Sequence, residues 1–240
     1  MKNFINSLCF FIITSLSISA QNETGTISYG IKLGGTSSWV SGNSAPEEIT
    51  SSSSPTSSLK YSYESKVRNY LSLSGGVYAE YTLNKNVDFR IELLYVTKGY
   101  KQLETSIELS EREITDSKLP LHYLEIPLIA TYTIDINNDK YRPYFLGGLV
   151  SSYMLSIPTI NVTKTKFDSK GNLVSTKTGD QTAKSNEVER LDLGLALGVG
   201  IKLNNDLGID LRYTSGFNTI ATSREINNKY LALTLLYRLK

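Results

Sequence analysis

Charged side chains recur at every second position through several segments of this 240-residue chain. Lys32, Arg90, Lys98, Arg190, Lys202, Arg212 and Arg238 share one face of their segments with Glu80, Asp88, Glu92, Glu125, Asp192 and Asp210. Seven cations against six carboxylates almost cancel, so the set suits either of two jobs. It can close on itself as a plug of ion pairs and hydrogen bonds, or it can line a narrow, gated ion path. An enclosed space only just wide enough for its side chains favours the plug.

Other chemistry has little to work with. His122, the sole histidine, falls on the opposite face, and no second or third catalytic group can be placed beside it from sequence. With one histidine and one cysteine, Cys9, no zinc site of the usual ligand types is expected, nor any other metal or cofactor. Glu104, Glu108, Glu111 and Glu113 form a loose acidic set suited to a solvated loop, with divalent-cation contact as the sharper use. No glycine-rich phosphate loop ending in Lys and Ser or Thr occurs. A formal net charge of +2 gives no argument for nucleic acid.

The elements that carry these charges are best seen in residues 190–203. Leu191, Leu193, Leu195, Leu197, Val199, Ile201 and Leu203 alternate with Arg190, Asp192, Gly194, Ala196, Gly198, Gly200 and Lys202. Strict period-two alternation predicts a strand with one wholly apolar face. A soluble sheet would show water Thr, Lys and Glu on its other face; this one shows Gly and Ala between charges. Glycine packs nothing and weakens a strand, so the small residues predict a crowded face that makes room for large side chains across a narrow tube. Greasy outside and polar inside is the arrangement lipid requires.

The same alternation recurs at 26–39, 71–83, 87–100, 119–134, 141–157, 207–214 and 230–239, which makes eight strands. The expected fold is all-β, an eight-stranded antiparallel up-and-down transmembrane β-barrel with a polar interior. Pro127 conflicts with a closed ladder, and a bulge or missing ladder bond is expected there. Connections alternate long and short: polar loops at 41–69, 102–118, 158–187 and 215–228, against tight turns at 84–86, 135–140 and 204–206. That rhythm places long loops outside the cell and short turns, with both chain termini, in the periplasm. Tyr29, Tyr81, Phe89, Tyr132, Tyr144 and Tyr237 are expected to face outward near the turn end, with Trp39 and Tyr213 nearer the other, as two aromatic girdles.

Lys2, the apolar run 8–13 and Ser19-Ala20 before Gln21 predict a signal peptide over 1–20 and a barrel domain over 21–240. Cys9 lies inside the signal segment, so the exported chain carries no thiol.

Tyr123, Leu124, Glu125, Ile126, Pro127 and Leu128, followed by Arg142, Pro143 and Tyr144 before Gly147 and Gly148, resemble the middle of the PorT-like outer-membrane β-barrel family of Bacteroidetes. Residues 194–203 and 207–213 resemble its later hairpin, and the similarity runs from about Ile27 to the end. The resemblance implies an eight-stranded outer-membrane barrel in a Gram-negative host. The family's named member takes part in type IX secretion, and no catalytic residue is available to carry over.

These observations lead to a non-enzymatic barrel set in outer-membrane lipid and lipopolysaccharide. Its loops 41–69 and 158–187 are expected to meet a secretion-system or surface-polymer partner. A small porin and a lipid-modifying enzyme using His122 are the two alternatives.

Overall fold

The computed structural model describes residues 25–43, 47–52, 61–108, 111–136, 140–184, 188–203, 206–221 and 224–239. The expected signal segment with Cys9 lies outside the described residues.

Among the described residues, eleven strands form one antiparallel sheet: β1 (Ile27–Ser41), β2 (Ile49–Ser52), β3 (Tyr61–Thr82), β4 (Val87–Glu108), β5 (Glu111–Thr133), β6 (Arg142–Met154), β7 (Thr159–Phe167), β8 (Leu173–Thr182), β9 (Leu191–Lys202), β10 (Leu207–Ala221) and β11 (Arg224–Leu239). Eight of them close a ring in the order β1, β3, β4, β5, β6, β9, β10, β11, with β11 pairing back onto β1 from Tyr29↔Leu239 to Ser41↔Asn227. Closure leaves these strands no edge within the barrel, which is what hydrocarbon demands of a sheet. Their alternation sorts the side chains as expected. Leu191, Leu193, Leu195, Leu197 and Val199 point out and are exposed, while Asp192 and Ala196 point in and are buried.

The remaining strands correct the sequence reading. Where they are described, the segments expected as polar loops are largely sheet. β3 and β4 run 22 residues each, roughly 70 Å of extended chain, whereas a membrane strand needs about 9–11 residues. Their far halves continue past the ring, pair with the first half of β5, and are flanked by β2 on one side and the β7–β8 hairpin on the other. A six-stranded extension therefore stands beyond one rim. Residues 215–228 likewise belong mainly to β10 and β11. A strand bathed in water on both faces has no reason to segregate apolar from polar residues, so the hydrophobic alternation fades. What persists is β-branched content, as in Thr159-Ile160-Asn161-Val162-Thr163.

At Pro127 the ladder to β4 is interrupted between Leu94↔Glu125 and Ile91↔Leu128 and then resumes in the same register, while the ladder to β6 is unbroken. It is a missing bond and not a bulge. A bulge lies instead in β3, between Asn69 and Ser74. There Leu71 and Leu73 are thrown outward, 72% and 78% exposed. The β4 carbonyls facing this gap are recovered from inside: Thr36 donates to the Thr97 carbonyl at 3.4 Å, and Ser38 to the Gly99 carbonyl at 3.1 Å. Buried backbone groups need such partners, which accounts for the small hydroxyl residues on the inner face of β1.

Tyr144 is the clearest correction to the aromatic assignments. It was expected on the outer face but is 2% exposed, inside the barrel, and Phe145 takes the outward position. β6 is apolar on both faces, so parity could not be decided from its own residues. The partner strand decides it: Gly200 stands directly opposite Tyr144, and a Cβ there would collide with the phenol ring. Gly30 makes the same accommodation for Tyr78. Gly35, on the outer face, meets only the Ser72 carbonyl at 3.8 Å. Gly200→Ala should therefore cost about 1–3 kcal/mol through overpacking, while Gly35→Ala should stay within about 0.5 kcal/mol. Urea unfolding midpoints in lipid vesicles measure both.

Candidate functional site

The barrel bore is filled by an ordered set of charges. Near the turn rim, Lys202 Nζ lies 2.8 Å from Asp88 and 3.4 Å from Glu80, and Arg238 lies 3.2 Å from Glu80. Arg90 carries the connection inward, donating to Glu80 at 2.6 and 2.9 Å through two guanidinium nitrogens. In the middle, Lys32 Nζ bridges Glu92 and Asp210 at 2.8 Å each, Arg90 meets Asp210 at 3.2 Å, and Arg212 meets Glu92 at 2.7 Å. Tyr144 donates its hydroxyl to Asp210. These contacts join nine charged residues into one connected network.

A second cluster sits towards the long-loop rim. Lys98 Nζ is 2.7 Å from Glu125 and 3.6 Å from Asp192, and it lies over the ring of Tyr123 at 4.4 Å. Glu125 also accepts from Tyr230 at 2.6 Å and Ser152 at 3.0 Å, and Asn228 donates to Tyr123 at 3.0 Å. Beyond this cluster the bore turns apolar, where Val40, Leu121, Tyr123, Met154 and Ile220 pack together with Tyr100 and Leu119 against them.

Twelve of the thirteen charges singled out in the sequence meet inside the barrel. Arg190 does not: it precedes β9, is half-buried, and makes no ion pair among the described residues. Its departure leaves six cations facing six carboxylates. The five buried side-chain atoms without a hydrogen-bond partner among the described residues belong to Asp192, Arg212, Thr214, Asn228 and Thr234, all on the β9–β11 arc.

Of the residues assigned to girdles, Tyr29, Tyr81, Phe89, Tyr132 and Tyr237 face outward near the turn rim. Trp39 and Tyr213 contact each other, ring centroids 6.1 Å apart, nearer the other end. Tyr95, Tyr153 and Phe217 are also outward and exposed. None of the three was among the girdle residues expected from the sequence: Tyr95 and Phe217 continue outward rows, whereas Tyr153 lies on the face of β6 opposite to the one expected outside.

His122 lies on the outer surface. Its Nδ1 is 2.6 Å from the Tyr95 hydroxyl and 3.3 Å from that of Thr97, with the Tyr95 ring stacked at 6.0 Å. The two neighbours that the sequence could not place are thus cross-strand hydroxyls. The acidic set is dispersed along the extension: Glu113 is held by Lys166 at 3.0 Å and Lys164 at 3.8 Å, and Glu108 faces Glu111. The hydrogen bond from Lys166, with both lysine charges, keeps the Glu113 carboxyl below its usual range. No group of metal-ligating side chains occurs among the described residues. On the inner face of the extension, a cavity of about 220 Å³ is lined by Tyr100, Gln102, Ser117, Val162, Lys164 and Gln181 among others.

A closed antiparallel ring, aliphatic outside and ionic within, defines an integral β-barrel of the outer-membrane kind. Residues 19–222 match the family described as outer membrane protein beta-barrel domain, and the chain belongs to that family. Its place is accordingly the outer membrane. Among solved structures it is similar to the attachment invasion locus protein Ail of Yersinia pestis, at 10% identity and a TM-score of 0.41, covering 90% of this chain and 100% of that one. It is also similar to OprG from Pseudomonas aeruginosa, at 13% identity and a TM-score of 0.38, covering 90% and 97%. Neisserial surface protein A gives 10% identity and a TM-score of 0.38, with coverages of 89% and 99%. No curated protein matches the chain.

The network makes a specific demand on mutants. Lys32→Met removes the ammonium that two buried carboxylates share, and unfolding free energy should fall by about 3–5 kcal/mol. Adding Asp210→Asn should recover much of that loss, because the leftover charge is then gone. Lys66→Ala, which breaks an exposed pair with Glu64, should change the midpoint little. Equilibrium unfolding of the four proteins in the same vesicles provides the comparison.

Proposed function

We propose that this protein is a non-enzymatic outer-membrane barrel that binds a partner or surface polymer through the sheet raised beyond its rim. In this reading the extension stands outside the cell and both termini lie in the periplasm. Support comes from the asymmetry of the two ends: turns such as 83–87 on one side, long paired strands on the other. The sequence-level signal peptide over 1–20 agrees with export.

The observation that carries the proposal is the free edge of β8. Among the described residues it ends the sheet, paired to β7 on one side only, and Leu173–Thr182 contains no proline to block further pairing. An exposed edge is a template for an added strand. Lys177 and Asp180 on this edge limit unselective pairing by charge. The cavity beside it offers amides, an aromatic ring and Lys164, groups suited to a polar polymer segment. A PorT-like, secretion-associated role in a Bacteroidetes host is the finer form of the same reading. It is supported by the 123–128 and 142–148 motifs, and lipopolysaccharide is the surrounding lipid.

A bore filled by compensated charges and capped by Leu121, Met154 and Ile220 argues for a barrel that does not conduct. Planar-bilayer recording should remain silent; steady conductance altered by Arg90→Gln would replace the binding proposal with a porin. His122→Ala should leave lipid A composition unchanged. Exchanging residues 158–184 for a short turn should keep heat-modifiable gel migration while abolishing the discrete crosslinked species formed by the intact protein at the cell surface. Survival of that species would exclude β8 as the binding edge.

A further inference from the structure

Just beyond the outward aromatic residues, three cations stand side by side. Arg68 on β3 is directly opposite Lys101 on β4, and Lys101 is directly opposite Lys118 on β5. The β4–β5 register is uniform from Phe89↔Ala130 through Tyr95↔Leu124 to Lys101↔Lys118, so this row lies on the same outer face as the lipid-facing side chains. Arg68 and Lys118 are exposed and Lys101 is half-buried. Directly opposed like charges destabilise a sheet, and compensation within the protein is slight. Lys118 has Asp116 at 3.8 Å, Lys101 lies over the Tyr70 ring at 5.6 Å, and Arg68 makes no ion pair among the described residues.

We propose that this row is a docking site for the phosphate groups of lipopolysaccharide in the surrounding outer leaflet. Its position along the strands selects this occupant. Moving up the outer face of β4 and β5, the pairs run from Ile91↔Leu128 to Tyr95↔Leu124, Thr97↔His122, Gly99↔Pro120 and then Lys101↔Lys118. Aliphatic, aromatic, hydroxyl and imidazole, then cationic is the order in which acyl chains, interface and anionic headgroups follow one another. Tyr95 to Lys101 is six residues, about 20 Å of strand and about 14 Å along the membrane normal at a tilt near 45°. Long cationic side chains can reach back over part of that distance. Gly99 and Pro120, opposed between the two levels, present little bulk. Arg and Lys are the usual partners of phosphate oxygens, and a multiply charged phosphorylated saccharide removes the repulsion along the row.

The inference rests on the orientation proposed above. Labelling of K177C in intact cells by a membrane-impermeant maleimide tests that orientation separately. The docking site is tested with the full-length barrel in zwitterionic nanodiscs, alone and with purified lipopolysaccharide, its dephosphorylated form, or free inorganic phosphate at matched concentration. Lipopolysaccharide should raise the unfolding midpoint by on the order of 3 °C, and the dephosphorylated form and free phosphate should not. The R68Q/K101Q/K118Q protein should lose this response, yet in discs without lipopolysaccharide should unfold no earlier than the parent, because the repulsion is relieved. An equal response from the dephosphorylated form or from the triple variant would overturn the proposal. A shift reproduced by inorganic phosphate would overturn it too, since the row would then be a simple anion site.

Discussion

A tube of eight strands in hydrocarbon must neutralise the charge it encloses, because lipid cannot do so and water reaches only the turn-rim end of the bore, where Lys202 and Arg238 are partly exposed. That constraint governs this protein. An unpaired buried ion costs several kcal/mol, and a bore this narrow places the side chains of all eight strands within reach of one another. Six cations therefore meet six carboxylates. The network is assembled from residues far apart in sequence: Lys32 reaches Asp210, and Lys202 reaches Asp88. These contacts can form only when the ring has closed in the right register. A one-residue slip of β4 would send Arg90 and Glu92 into lipid and Phe89 and Ile91 into the bore. The ionic interior thus specifies register as well as filling space.

Volume imposes the second half of the same constraint. Large side chains enter the bore only where the facing strand gives way, and the strand that gives way most is β9, with Gly194, Ala196, Gly198 and Gly200 on its inner face. Tyr144 lies against Gly200, and from there its hydroxyl reaches Asp210 in the centre of the network. A glycine that seems only to weaken a strand is here the socket for a tyrosine that holds a buried carboxylate. The apolar cluster at the other end works in the opposite sense. Leu121 and Met154 fill the bore where no charges remain to fill it.

Legibility in the sequence followed from which solvent each face meets. Where one face meets lipid and the other the bore, period-two alternation is strong, and all eight ring strands with twelve interior charges could be read from it. Arg190 was misread because alternation was extended one residue past the start of β9, where the chain is no longer strand. Tyr144 was misread because Tyr144, Leu146 and Val150 inside and Phe145 and Leu149 outside are all apolar. On such a strand only the pairing partner distinguishes the faces, and pairing is not written in any one segment. The bulge in β3 was hidden for a related reason: Leu71 and Leu73 fit an outward row equally well with or without the extra residue.

The extension is the part that alternation could not announce, and its construction explains why it holds together in water. It has little apolar core of its own to organise it. Its strands are continuations of β3, β4 and β5, whose pairing has already been fixed by the closed ring, so most of the entropy of bringing them together is lost on forming the barrel. β7 and β8 then add to an edge that is already ordered. Local devices suffice for the remainder: the Asp168 carboxylate accepts from the backbone of Lys170 and Asn172 and from the Asn172 side chain, and Gly171 supplies the positive φ that closes the β7–β8 hairpin. Those donors also hold the Asp168 carboxyl below its ordinary range. A surface grown in this way is freed from the demands of a core, so its side chains can vary without unfolding the barrel beneath. The rigidity comes from below, and the chemistry of the surface is left open above.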